Sequence, residues 1–217
     1  MNGLFSPDSR FMRYLTLFAD LMILNILFLL TSIPVFTVGA SLTALYSVCF
    51  RLGTDREGST FRDYFAAFKE NFAQATPLFL LLLLWLCGTG GAAAIFYLMT
   101  GWMHYLVVPF AVLFVAVVLI GSYAFPLLSR FENRTATTLK NAALLSLGYL
   151  PRSILMGAIN LFPFALLAVH LLTFLKAAFA WLIVWFAAAA YINCLILKKV
   201  FAPYLKEEND DHSQDEA

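Results

Sequence analysis

Apolar residues in this sequence occur in long blocks without charge, separated by short polar segments. The charge-free blocks cover residues 21–50, 71–129, 153–175 and 177–197. A helix needs about 20 mostly apolar residues to cross about 30 Å of hydrocarbon. The second block is too long for one crossing and is interrupted at Thr100-Gly101. The pattern therefore predicts an all-α fold, a polytopic transmembrane helical bundle.

We predict five hydrophobic spans within a single domain, residues 1–206. The spans are about 15–50, 77–99, 105–128, 153–175 and 177–197. Thr76-Pro77 is typical of a helix cap followed by proline at the first helical position, so the second span is expected to start there. Pro163 is expected to kink the fourth span.

The first hydrophobic block allows two interpretations. Pro34 and Gly39 interrupt the helical pattern of residues 15–50. The block is either one long kinked crossing or a hairpin whose second arm is short, because both residues permit a kink or a turn. The hairpin would raise the number of spans to six and would move the N-terminus to the other side of the membrane.

A segment between the first two spans has an aromatic stripe. Its members follow the i, i+3, i+4, i+7, i+11 spacing of one helix face: Phe61, Tyr64, Phe65, Phe68 and Phe72. The charged residues lie on other faces. We predict an amphipathic helix over residues 60–73 that lies along the cytoplasmic interface. The alternative is a helix that packs its aromatic stripe onto the bundle.

Composition and charge support a membrane location. Apolar residues make up 62% of the chain and charged residues 12%, whereas soluble domains average about 45–50% and about 25%. With five spans, 11 Lys and Arg residues lie on one side and 3 on the other; with a hairpin the ratio is 13 to 1. Both arrangements place the C-terminus in the cytoplasm by the positive-inside rule and predict a multi-pass protein of the cell membrane.

The last eleven residues differ from the rest of the chain. Residues 207–217 contain six of the 13 acidic residues and almost no apolar ones. A segment of this composition cannot bury enough apolar surface to fold, so we predict a disordered acidic tail.

Signatures of catalysis and of metal binding are absent from the sequence. It contains no nucleotide-binding loop, no zinc-protease motif and no nucleophile elbow. The three cysteines are scattered through apolar runs without a CxxC pair and are interpreted as apolar fillers. Gly88, Gly90 and Gly91 are expected to let helices approach closely. We predict no enzyme activity, no cofactor, no metal and no nucleic-acid partner.

Polar residues inside the spans are few, and each is a candidate functional site because polarity at membrane depth is costly. They are Asp20, Asn25, Asn160 and Asn193. The asparagines are expected to bond neighbouring helices, and a polar cavity for a ligand or partner is the alternative. Asp20 is the strongest exception to a structural role, since it could pair with Arg13 or Arg130.

Several motifs resemble a known family. They are Met1-Asn-Gly-Leu-Phe5, the block Ile33-Pro-Val-Phe-Thr-Val-Gly-Ala-Ser-Leu-Thr-Ala-Leu-Tyr46, Phe65-Ala-Ala-Phe-Lys-Glu-Asn-Phe72, Tyr123-Ala-Phe-Pro-Leu-Leu-Ser-Arg-Phe131 and Leu150-Pro-Arg152. In these motifs the chain is similar to the YesL-like family of bacterial membrane proteins, a domain of unknown function. The resemblance implies an accessory component linked to carbohydrate uptake and carries over no catalytic residue.

The leading functional hypothesis is a non-enzymatic membrane accessory or scaffold protein. Its expected docking surface is the aromatic stripe together with Arg130 and Arg134, and its expected partners are the lipid bilayer and a sugar-transporter subunit or membrane regulator. A small-solute transporter or channel that acts as an oligomer is the alternative. An intramembrane enzyme that uses Asp20, Glu132 or His170 has the least support. The sequence does not determine the oligomeric state.

Overall fold

The computed structural model describes residues 10–52, 59–131 and 134–215, with side chains described as far as Pro203. Every regular element in these ranges is helical. The α-helices are α1 Arg10–Thr31, α2 Val38–Arg51, α3 Thr60–Leu98, α4 Val107–Leu128, α5 Thr135–Gly148, α6 Leu150–Val169, α7 Leu171–Lys176, α8 Ala178–Ala180 and α9 Phe186–Asp215. Short 3-10 helices cover Val35–Thr37 and Gly101–Leu106, and a π-helix covers Trp181–Trp185.

Five helical stretches are long and apolar enough to cross a membrane. They are Phe11–Thr31, Thr60–Leu98, Gly101–Leu128, Leu150–Val169 and Ala178–Pro203. Stretches of this kind satisfy their backbone hydrogen bonds internally, which a bilayer requires. The prediction of an all-α polytopic bundle with five spans is confirmed.

The first hydrophobic block consists of two separate helices. α1 ends at Thr31, and the hydroxyl of Thr37 donates to the carbonyls of Thr31 and Pro34, which closes the turn between α1 and α2. α2 has 14 residues and is therefore about 21 Å long, too short to cross about 30 Å of hydrocarbon by itself. The block thus has the short second arm that the hairpin interpretation requires, while the side of the N-terminus stays a prediction.

α2 lies at the centre of the bundle. Eleven of its 14 residues are buried, and it packs against α3, α4 and α9. Small residues make this close packing possible. A Cβ atom at Gly39 would overlap the carbonyl oxygen of Ala75 and the Cβ of Phe79, so only glycine fits where α2 meets α3.

The predicted amphipathic helix and the second span are one continuous helix. α3 has 39 residues, about 58 Å at 1.5 Å per residue, and Pro77 lies inside it. The predicted helix start at Thr76-Pro77 is therefore wrong. Proline is tolerated inside long membrane helices because neighbouring groups and local adjustments satisfy the freed backbone. α3 begins instead at Thr60, after Ser59 as its N-cap residue.

α3 and α4 form a hairpin that turns near the predicted break. Gly101 has a φ of 75°, a left-handed conformation that glycine adopts without strain. The 3-10 helix Gly101–Leu106 leads into α4, which coincides with the span predicted at 105–128. Trp102 and Tyr105 at this turn are exposed, as expected of aromatic residues at a membrane interface.

The segment between the predicted third and fourth spans contains a helix that was not predicted. α5 buries Thr138, Ala142, Leu145 and Ser146, which lie on one helix face, and it packs against α4. Two of these four residues are hydroxylic rather than apolar. The hydrophobic pattern therefore did not reveal the helix.

The last two spans are broken more often than expected. α6 contains Pro163 but ends at Val169, and His170 breaks the helix with φ −142° and ψ 85°. α7 and α8 then lead through the π-helix into α9. The bounds of α9 extend to Asp215. Disorder of residues 207–217 stays a prediction, and residues 216–217 lie outside the described chain.

Candidate functional site

Two of the predicted polar residues meet in the core of the bundle. Nδ2 of Asn193 in α9 donates to Oδ1 of Asn160 in α6 at 2.8 Å and to the hydroxyl of Tyr46 in α2 at 3.2 Å. Nδ2 of Asn160 donates to Oγ of Ser122 in α4 at 3.2 Å. We term these four residues the polar cluster. It joins four helices that are distant in the sequence.

The polar cluster has one unpaired group. Tyr46, Ser122 and Asn193 are buried, and Asn193 is 0% exposed. Its NH₂ group is paired, but its Oδ1 atom has no hydrogen-bond partner within the described chain. A 180° rotation of this amide would exchange the unpaired oxygen for an unpaired NH₂. The site therefore has spare hydrogen-bonding capacity in either orientation.

Sequence reasoning identified Asn160 and Asn193 but missed Tyr46 and Ser122. Single hydroxyl groups in apolar runs are common in membrane helices and commonly bond their own backbone. Ser122 does so, since its Oγ donates to the Val118 carbonyl at 3.0 Å. Tyr46 lies within one of the motifs that carry the family resemblance, and this was the signal that could have found it.

Asn25 of α1 has a different role. Its Nδ2 donates to the carbonyls of Trp181 at 3.1 Å and Leu182 at 2.8 Å, and its Oδ1 accepts from the backbone N–H of Ala187 at 3.1 Å. A π-helix disturbs the regular i to i−4 ladder, and the amide of Asn25 satisfies backbone groups at this irregularity. This arrangement agrees with the prediction that the asparagines bond neighbouring helices.

Asp20 lies apart from both asparagine sites. Its Oδ1 accepts a hydrogen bond from the hydroxyl of Thr60 at 2.8 Å, which ties α1 to the start of α3. Arg130 does not pair with it: the guanidinium of Arg130 lies over the ring of Phe50, 5.3 Å from the centroid. Of the two partners predicted for Asp20, Arg13 and Arg130, Arg130 thus makes a cation–π contact instead.

The aromatic stripe of α3 packs largely onto the bundle. Tyr64 is fully buried, with its hydroxyl 2.7 Å from Oγ1 of Thr31. Phe65, Phe68 and Phe72 pack against the core and are partly buried. Phe61 alone among the five is exposed, at 57%. Four members of the stripe therefore pack onto the bundle, as the alternative interpretation expected. Phe61 is the member that remains open to a partner.

A polar groove lies where α3, the end of α4 and the start of α5 meet. It has a volume of about 630 Å³. Its lining residues are Glu70, Asn71, Gln74, Leu128, Phe131, Arg134 and Thr135. The lining thus combines a carboxylate, a guanidinium and two amides with the apolar side chains of Leu128 and Phe131. Arg134, a predicted docking residue, lines this groove, whereas Arg130 lies over Phe50.

Two of the three cysteines form a buried thiol pair, which the sequence did not indicate. Sγ of Cys49 in α2 lies 4.0 Å from the carbonyl oxygen of Ala187, and Sγ of Cys194 in α9 lies 3.9 Å from that of Tyr46. Each thiol thus faces the backbone of the other helix, which places both side chains at the contact between α2 and α9. Both are free thiols. Within the described residues, no group of three His, Cys, Asp or Glu side chains could hold a metal ion.

The helices and their buried polar contacts define a multi-pass α-helical membrane protein. The family model described as a protein of unknown function, DUF624, matches residues 21–90, which extend from α1 through α2 into α3. DUF624 is the YesL-type family, so the predicted resemblance is confirmed over this segment. No curated protein and no solved structure matches the chain.

Proposed function

We propose that this protein is a non-enzymatic accessory or scaffold protein of the cell membrane. The observation that carries the proposal is the polar groove between α3, α4 and α5, together with the exposed Phe61, which lies nine residues before Glu70 on α3, about 14 Å along the helix. A groove that offers a carboxylate, a guanidinium and amides suits a polypeptide, whose charged side chains and backbone amides match these groups. Phe61 adds an aromatic anchor of the kind that dominates binding energy at interfaces.

The charge pattern supports a cytoplasmic location for this docking face, which comprises Phe61 and the polar groove. Lys and Arg residues outside the acidic tail are concentrated in the segments between predicted spans on one side, including those that contain Arg62, Lys69 and Arg134. The positive-inside rule assigns that side to the cytoplasm. The family resemblance favours a subunit or regulator of a carbohydrate uptake system as the partner.

Site-specific photocrosslinking tests the proposal in native membranes. A photoreactive phenylalanine analogue in place of Phe61 is expected to capture one reproducible protein, identified by mass spectrometry. The same analogue in place of Leu98, an exposed residue at the other end of α3, controls for nonspecific capture. Arg134→Glu is expected to abolish the Phe61 crosslink. Lys140→Glu, an exposed charge on α5 outside the groove, is expected to retain it.

Two outcomes would contradict the proposal. One is the capture of the same proteins from Phe61 and Leu98. The other is a Phe61 crosslink that Arg134→Glu and Lys140→Glu affect equally.

A small-solute transporter or channel is the second candidate. The short central helix α2 favours it, because interrupted helices at membrane depth occur where they line a cavity or a binding site. Reconstituted vesicles are expected to show flux of a small neutral solute if this function holds. An Asn193→Leu variant is then expected to abolish the flux while vesicle incorporation is unchanged.

A further inference from the structure

The unpaired oxygen of Asn193 has a physical consequence at the centre of the bundle. A buried acceptor without a partner costs about 1–3 kcal/mol. More than nine in ten buried polar groups in proteins are satisfied by protein or by ordered water. Rotation of the Asn193 amide still leaves one of its two polar groups unpaired. Within the described chain, Tyr46, Ser122 and Asn160 do not supply the missing partner. A small hydrogen-bond donor from outside the chain would remove it.

We propose that the polar cluster binds an internal water molecule, which donates a hydrogen bond to Oδ1 of Asn193. Buried waters typically make about three hydrogen bonds to otherwise unsatisfied groups. The Tyr46 hydroxyl and the amide of Asn160 lie beside Asn193 and supply further polar partners. The site is thus a hydration site at the contact of α2, α4, α6 and α9.

A second buried tyrosine, Tyr64, shows how the surroundings of Tyr46 differ. Tyr64 is also fully buried, but its hydroxyl has two partners in the chain, Thr31 Oγ1 at 2.7 Å and the Ser41 carbonyl at 3.4 Å. None of its hydrogen-bonding neighbours is an unpaired buried atom. Tyr64 is therefore a matched control for Tyr46. The inference is independent of the docking proposal, because no residue of the polar cluster lines the groove or the docking face.

Radiolytic footprinting tests the hydration site directly. X-ray radiolysis of a bound water produces hydroxyl radicals in place, which oxidise adjacent side chains even when bulk solvent cannot reach them. In the full-length protein in detergent, Tyr46 is expected to be hydroxylated several-fold faster than Tyr64, as measured by peptide mass spectrometry. Equal, slow modification of both tyrosines would overturn the proposal.

Two variants assign the effect to Asn193. Asn193→Leu removes the acceptor and is expected to lower Tyr46 modification to the rate of Tyr64. Asn193→Asp keeps an acceptor oxygen and is expected to retain the modification. Tyr46 modification that is unchanged in Asn193→Leu would also overturn the proposal. The comparison of Tyr46 with Tyr64 in the unmodified chain stands even if a variant fails to fold.

Discussion

Two apolar regions of this protein have similar hydropathy but differ in how much of each is buried inside the bundle. The stretch Ala178–Pro203 has a mean hydropathy of 2.0 in its most apolar window, of which 39% is buried, whereas Thr60–Leu98 has 2.2, of which 11% is buried. Lipid tails and a protein interior are both apolar, so hydropathy does not distinguish a central helix from a peripheral one. Interhelical hydrogen bonds of buried side chains do distinguish the first stretch from the part of α3 that follows Pro77. Asn193 lies in the first stretch, and its partners Tyr46 and Asn160 lie on the helices around it.

The outer part of the α3–α4 hairpin is held together mainly by apolar and aromatic contacts. The Phe96 and Phe110 rings stack at 5.3 Å, and a Cβ at Gly90 would lie 3.2 Å from the Phe114 ring. Large side chains such as Leu84 and Trp85 face outward. Contacts of this kind lack the directionality of hydrogen bonds. We therefore expect the outer hairpin to tolerate substitution and the centre to resist it.

The largest effect is expected from oxidation of the buried thiols Cys49 and Cys194, which either forms a crosslink or does not. Iodine, a two-electron oxidant that enters membranes, is expected to join Cys49 to Cys194: one S–S bond forms, two protons leave and iodine is reduced to iodide. Peptide mapping by mass spectrometry measures the product. Cys87→Ala, on the outer hairpin, is expected to leave the crosslink intact. Absence of the crosslink would contradict a direct approach of the two thiols, because a disulfide requires Cα atoms about 4.4–6.8 Å apart.

The largest loss of stability is expected from Gly39→Ala. The added methyl group meets the Ala75 carbonyl and Phe79, so α2 and α3 must separate. Overpacking of this kind costs about 1–3 kcal/mol. Gly88→Ala on the outer hairpin is the matched control, because its Cβ would meet nothing within 4 Å, and it is expected to be neutral or to stabilise by up to about 1 kcal/mol. Chemical unfolding in mixed micelles measures both, and equal effects would refute the contrast.

A loss below the upper end of that range is expected from Asn25→Leu. The change removes the three hydrogen bonds that Asn25 makes to the backbone of Trp181, Leu182 and Ala187. Interhelical hydrogen bonds in membranes average about 0.6 kcal/mol each, so the expected total is about 2 kcal/mol. Ile26→Leu, at the neighbouring exposed position, serves as the control. The same unfolding measurement applies, and a loss no greater than that of Ile26→Leu would argue against the clamp.

The smallest effect is expected from Leu84→Ala. Leu84 is 69% exposed on the outer hairpin. Truncation of its side chain therefore removes contacts with lipid and leaves no cavity in the core. Surface substitutions away from special features usually change stability by less than about 0.5 kcal/mol. A loss above about 1 kcal/mol in the unfolding assay would indicate that this surface is covered by another protein chain.

Particular residues show how far the sequence predicted the structure. Residues 105–128 were recognised as a span because apolar length is a local property. α5 was missed because its buried face includes Thr138 and Ser146, and α3 was divided because Pro77 usually marks a helix start. Gly88, Gly90 and Gly91 were expected to allow close approach, but of these three only a Cβ at Gly90 would have a side chain within 4 Å. The tighter contact occurs at Gly39.

The sequence by itself determined that this chain crosses a membrane as a helical bundle, because long apolar runs can satisfy their backbones there only as helices. It also identified Asn25, Asn160 and Asn193 as polar residues in apolar surroundings. Only the tertiary structure decided which of them meet. It placed Tyr46 and Ser122 beside Asn160 and Asn193, and Cys49 beside Cys194, because packing joins residues that are far apart in the chain. Hydropathy carries no information about those partners, since lipid and protein bury an apolar face equally well.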